Sequence, residues 1–325
     1  MTSRESIDIL QNNMNKIIIG QEKVVERLIV CMLSDGNMLL EGLPGLAKTK
    51  MVKTMAKIID AVFSRIQFTP DLTTMDIVGA DKIYEENGVH KFRFEPGPIF
   101  GNIILADEIN RAPAKVQAAM LEAMEERQVT VSGKTYKLPK LFTVIATQNP
   151  LDKDGTYQLP DAQKDRFLMH VIVSYVDMES ELKIIELAHL QKPTDGTAST
   201  VIQKIPQEMI LAARKEIESV QMSKSVKDYI IELVFATRYP LRYSKQLAVM
   251  IDVGVSPRAT LALDRCSRAY AWMQDRDHVT HKDVQAIIHD VFRHRLIKSE
   301  HTRLSEKTND DIVDIILEQV PLPEE

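Results

Sequence analysis

The stretch "EGLPGLAKTK", residues 41–50, decides how the rest of the chain is read. Gly42 and Lys48-Thr49 stand at the spacing G-x-x-x-x-G-K-[ST] of a phosphate-cradling loop, but Ala47 replaces the second glycine. Such a loop curls backbone N–H groups around phosphate oxygens and tolerates little side-chain bulk. Gly42 and Gly45 supply backbone freedom, and Pro44 stiffens the turn. Ala47 adds one methyl group, which a right-handed helical conformation would tolerate. The pattern arises by chance in roughly a few per cent of chains this long, so its neighbours must decide.

Those neighbours give strand, loop and helix. "NMLL" at 37–40 reads as a short buried strand. In "KTKMVKTMAKII", Met51, Val52, Met55, Ala56 and Ile59 recur at helical spacing. The helix N-terminus would then face bound phosphates. The expected nucleotide-binding residues are Gly42, Leu43, Pro44, Gly45, Leu46, Ala47, Lys48, Thr49 and Lys50. The bland reading is a strand–turn–helix that binds nothing.

Further along, short apolar runs alternate with helical patterns, the mark of an α/β domain with a parallel sheet. Strands are expected at 37–41, 64–68, 102–106, 142–147 and 170–174. Residues 1–33 read as helices broken at Gly20. Two polar segments interrupt the alternation. Residues 70–98 hold a hairpin around Asn87-Gly88, and residues 128–141 a hairpin around Ser132-Gly133. The first domain is drawn as 1–176. Residues 177–325, with a polar linker at 191–200, read as a smaller all-α domain. Thr280 and Asp283 are spaced as a helix N-cap pair.

The 325 residues carry a net charge of −5, with 44% hydrophobic and 27% charged residues. This is ordinary for a globular protein, and the acidic balance counts against a nucleic-acid coat. No apolar run is long enough to span a bilayer, and the N-terminus lacks a signal-peptide core. Cys31 and Cys266 are too few for a disulfide framework, so a cytoplasmic location is expected. His278, His281, His289 and His294 share no ligand spacing and read as packing or surface residues.

Hydrolysis of a nucleotide needs a metal ion, an activated water and charge on the transferred phosphate. "NIILADE" at 102–108 ends a buried strand in two acids, at the sheet edge where α/β folds bind ligands. Asp107, with Thr49, can hold Mg²⁺, and Glu108 can polarise water. Solvated acids at a strand end are the plain reading. The next helix starts near Pro113, and Val116, Met120 and Met124 form its packing stripe. "LFTVIATQNP" ends at Asn149, a neutral amide that either orients water or caps a turn. Arg166 in "LPDAQKDRF" and Arg258 in "GVSPRAT" read by themselves as surface charges.

Taken in order, "GLPGLAKT", "NIILADEINRAPAKVQAAMLEAMEERQVT", "VIATQNP", "LPDAQKDRF" and "GVSPRA" resemble the MoxR family of AAA+ ATPases. The resemblance runs from "IIGQ" at 18–21 to "HRL" at 294–296 and is most specific over 96–132. It implies a P-loop α/β core with a helical lid, ATP and Mg²⁺ as cofactors, and alanine as normal at position 47. By motif position, Lys48 and Thr49 resemble Walker A residues. Asp107 and Glu108 resemble Walker B, Asn149 sensor 1, Arg166 the arginine finger and Arg258 sensor 2. The stretch before Arg258 departs from the pattern, leaving cis or trans action open there. The family implies a ring, six subunits being the expected number, that remodels or activates partners, often proteins with von Willebrand factor A domains. A magnesium-chelatase-like motor subunit shares these motifs. The acidic balance counts against a nucleic-acid motor, and Glu108 counts against a non-hydrolysing switch.

Overall fold

The computed structural model describes residues 1–86, 89–150, 157, 159–190 and 203–322. The chain divides into two compact units. One comprises Met1–Ile29, Asn37–Gln158 and Val171–Leu211, the other Val30–Gly36, Leu159–His170 and Ala212–Glu325. This is not a single cut after residue 176. Residues 178–190 group with the first unit, and Asp165-Arg166 with the second. The linker at 191–200 and the hairpin tip Asn87-Gly88 lie outside the described residues.

The chain opens with α1 (Ser3–Ile17) and α2 (Glu22–Leu33), which flank Gly20, whose φ of 72° breaks the helix as expected; α2 groups with the first unit through Ile29. Then follow β1 (Met38–Gly42), α3 (Lys48–Ile58), β2 (Phe63–Gln67) and the short α4 (Thr74–Val78). The insert strands β3 (Gly79–Glu86) and β4 (Val89–Pro96) precede β5 (Ile103–Asp107) and α5 (Ala114–Glu126). The second hairpin, β6 (Gln128–Val131) and β7 (Lys134–Lys137), leads to β8 (Thr143–Gln148) and β9 (Met169–Val173).

Five strands form one sheet in the order β2-β5-β8-β1-β9. The β2–β5, β5–β8 and β8–β1 pairs are parallel. Each strand lies within one residue of its expected place. The reason is burial on both faces, which makes central parallel strands continuous apolar runs. Every residue of β5 is buried, and β8 is buried through Thr147. The edge strand β2 instead alternates, with Ile66 buried and Arg65 exposed. Helix α3 buries Met51, Val52, Met55, Ala56 and Ile58, and α5 buries Val116, Met120 and Met124.

The two hairpins pair antiparallel. Ser132 (φ 49°) and Gly133 (φ 78°) are both left-handed, as a two-residue turn matched to strand twist requires. The hairpins also meet: the Phe94 ring stacks on Tyr136 at 4.1 Å between centroids, and Phe100 meets Phe94 edge-on at 5.7 Å.

The second unit is built on helices Lys224–Arg238, Pro257–Met273, His281–Phe292 and Asn309–Gln319. Thr280 and Asp283 form a reciprocal cap, as their spacing suggested. The unit is not wholly helical. Gln221–Met222 pairs with His278–Val279, and Ile251–Val253 with Ile297–Lys298. Strands of two or three residues are too short to show a period, so sequence patterning does not reveal them. Cys31 and Cys266 are both buried, and neither is in a disulfide. His294 is buried, while His278 and His289 sit beside Asp277 and Asp314. Among the described residues no helix is long and apolar enough to cross a membrane.

Candidate functional site

A cleft of about 390 Å³ opens at the carboxyl ends of β1, β5 and β8, lined by Pro44–Lys50, Asp107, Glu108 and residues 147–149. It gathers the loop, the two acids and Asn149. Parallel pairing explains this, because Leu105 lies opposite Ile145 and Glu41 opposite Gln148. All three strands therefore end at one level. Gly42 sits at the base of the loop for lack of space. A Cβ there would come within 2.7 Å of the Val173 carbonyl oxygen, whereas Gly45 (φ 86°) needs its conformational freedom.

Ala47 overturns the expectation of a right-handed conformation. Its backbone is left-handed, φ 56° and ψ 19°, and it forms the N-cap of α3 with no side-chain cap. Most helix starts carry a Ser, Thr or Asp whose oxygen satisfies the first free N–H groups. Here alanine supplies none, so the donors and the positive helix end are left for a ligand anion. Lys48 Nζ donates to the carbonyls of Gly42 and, at 2.9 Å, of Leu43. Burial lowers its pKa below the usual lysine value of 10.5, opposed by the charges of Asp107, Glu108 and Glu41. Phosphate oxygens are stronger acceptors for an ammonium than carbonyls.

The acids are held by neighbours that include two residues outside the motifs, Arg65 and Gln67. Thr147 Oγ1 donates to Asp107 Oδ1 at 2.6 Å and accepts from the Glu108 N–H at 2.9 Å. Arg65 donates to Asp107 Oδ2 through Nε (3.0 Å) and Nη2 (2.6 Å). Gln67 Nε2 donates to Glu108 Oε2 at 3.0 Å, and Arg111 forms an ion pair with the same oxygen at 2.9 Å. Glu108 is left-handed (φ 58°), which turns it out of the strand direction just past Asp107. Gln148 Oε1 is buried without a hydrogen-bond partner on the cleft wall. The signal for Arg65 and Gln67 was the polar alternation in "SRIQ", legible only once β2 is known to lie beside β5.

Hard oxygen donors at Thr49 and Asp107 suit magnesium, which keeps most of its ligands as water and phosphate oxygen. Among the described residues no three His, Cys, Asp or Glu side chains gather as a metal cage. Thr49 and Asp107 both line the cleft, so they fit a magnesium ion that arrives with a nucleotide. A second cavity, about 220 Å³, shares Gly45, Leu46, Ala47 and Lys50 with the loop and is walled by Ile17, Ile18, Ile19, Val176 and Ile184.

Arg166 and Arg258 belong to the second unit. Both are exposed, and Asp165 organises their surroundings. Asp165 forms an ion pair with Arg258 at 3.5 Å and accepts from Ser256 Oγ, the N-cap of the Arg258 helix, at 2.9 and 3.0 Å. Arg295 reaches Asp165 Oδ1 at 2.9 Å and the Leu168 carbonyl at 3.2 Å. Burial draws the Arg295 pKa down to about 10 despite Asp165. His294 Nε2 bonds the Phe167 carbonyl oxygen at 3.0 Å, and burial pushes its pKa well below the usual value. "HRL" thus anchors the segment that carries Arg166.

Comparison with known proteins identifies the family. The family model for the ATPase family associated with various cellular activities (AAA) matches residues 37–169, and the AAA lid domain model matches 246–316. Chaperone MoxR1 of Mycobacterium tuberculosis is 41% identical over 95% of this chain and 80% of its own. Protein MoxR of Paracoccus denitrificans is 30% identical over 95% of this chain and 94% of its own. A crystal structure of a candidate ATPase from Cytophaga hutchinsonii superposes with a TM-score of 0.89 at 39% identity, covering 99% of this chain and 96% of that one. With a parallel core sheet, a mainly helical second unit and these relatives, the chain belongs to the MoxR family of AAA+ ATPases.

Proposed function

We propose that the cleft binds magnesium–ATP and hydrolyses it to ADP and phosphate, and that turnover in a ring remodels or activates partner proteins. The observation that carries the reading is the meeting, in one cleft, of the loop Pro44–Lys50 with Asp107, Glu108 and Asn149. Lys48 neutralises phosphate charge, and Thr49 with Asp107 would hold magnesium. Glu108 polarises the attacking water and Asn149 orients it. The apolar slot walled by Ile18 and Ile184 suits a flat base. Arg166 acts on a neighbouring subunit's nucleotide, and Arg258 senses nucleotide from the lid. Six subunits, a cytoplasmic setting and a client with a von Willebrand factor A domain complete the proposal. The name of the 41% identical relative, Chaperone MoxR1, supports its remodelling part.

Nucleotide binding and phosphate release by wild type and Lys48→Ala test the site. The variant loses charge-assisted hydrogen bonds and is expected to bind ATP about 10–100-fold more weakly. Near-normal affinity in a folded variant would show that this loop is not the phosphate site.

A further inference from the structure

Asp107 already has a cation beside it. Arg65 places two N–H groups on Oδ2, at 3.0 and 2.6 Å, while Thr147 takes Oδ1 at 2.6 Å. An ionised carboxylate offers about four lone-pair positions. Three are in use, and the outer oxygen is the one fully engaged by Arg65. A divalent cation and a guanidinium on one carboxylate repel each other. Arg65 is also built to leave. It lies on the edge strand β2, its side chain is 48% exposed against 12% for Asp107, and it already donates to Gln67 Oε1.

We propose that Arg65 gates metal entry at Asp107: its guanidinium neutralises the carboxylate until magnesium displaces it. This rests on the reading of Asp107 as the metal carboxylate. The gate has consequences of opposite sign. Without metal, Arg65 screens Asp107 from phosphate oxygens and so favours nucleotide. With metal, it competes for the carboxylate and so raises the magnesium concentration needed. Arg65 is thus a positioning residue that couples nucleotide binding to its metal.

The test is equilibrium binding of a fluorescent ATP analogue to the full chain, in EDTA and across a magnesium titration. In Arg65→Gln, binding in EDTA should weaken. The magnesium concentration for half-saturation should fall about fivefold, the scale of a part-exposed ion pair. Arg65→Lys keeps the charge and should stay near wild type. A merely structural arginine cannot move the two readouts in opposite directions. An unchanged or raised magnesium requirement in a folded Arg65→Gln would overturn the gate. Asp107→Asn separates this from the underlying reading. If Asp107→Asn shifts the magnesium dependence and Arg65→Gln does not, the gate alone is wrong. If Asp107→Asn leaves that dependence unchanged, the metal role of Asp107 is wrong and the gate falls with it. In the double variant Arg65→Gln/Asp107→Asn, the Arg65 substitution should add no further shift. A full extra shift would mean that Arg65 acts elsewhere.

Discussion

Ala47 and Glu108 both hold left-handed backbone, φ 56° and 58°, and both line the cleft. For an L-residue that conformation costs about 1–2 kcal/mol. At Ala47 the cost comes from its one methyl group, so Ala47→Gly should relieve it. Glycine also gains about 0.4–1 kcal/mol of unfolded-state entropy, which offsets part of the gain. The expected net is a stabilisation of about 0.5–1 kcal/mol in urea unfolding, the difference between those two effects. A clear loss of stability would mean that this backbone is not kept in solution. The residues of the loop and the two acids were legible because their spacing is local. Their partners were not. Arg65 and Gln67 reach Asp107 and Glu108 from far along the chain, through a strand pairing that sequence spacing does not reveal. Ala47 misled for a different reason: alanine's helix preference argued for right-handed backbone, and the loop's geometry overrode it.

At the level of elements, the core strands were readable because double-sided burial writes them as unbroken apolar runs. The 128–141 hairpin was readable from Ser132-Gly133, which meets the turn's demand for two left-handed residues. The short ladders of the second unit were invisible, since two residues have no period. Contact between the two inserts was also hidden. Phe94 and Tyr136 come from different hairpins, and their stacked rings tie the inserts together on the first unit. Such pairs are worth about 0.5–1.5 kcal/mol beyond area burial. A double-mutant cycle of Phe94→Ala and Tyr136→Ala should return a coupling energy in that range. Strict additivity would show that the hairpins move independently. We further propose that the tied inserts carry nucleotide state to the client, since both interrupt the core alternation rather than build the cleft.

For the whole molecule, the second unit carries Arg166 and Arg258, the two arginines proposed to act on nucleotide. Asp165 fixes the backbone beside Arg166 through buried Arg295 and draws in Arg258. Arg166 itself is exposed, which is compatible with the proposed role on a neighbouring subunit. Arg166→Ala should therefore bind ATP almost normally and turn it over poorly, the loss reaching about 10³-fold or more for an arginine finger. Mixing Arg166→Ala with Lys48→Ala subunits, each nearly inactive alone, should restore part of the activity, because one interface pairs an intact loop with an intact arginine. No recovery in oligomers shown to be mixed would place Arg166 in cis or in a structural role. The central claim, that the cleft performs ATP hydrolysis with Glu108 activating water, is tested most directly by one paired measurement on Glu108→Gln. Bound nucleotide and released phosphate are followed in the same sample at saturating magnesium–ATP. The account predicts full nucleotide occupancy with phosphate release slowed about 10²–10⁴-fold. Wild-type release at full occupancy would contradict it.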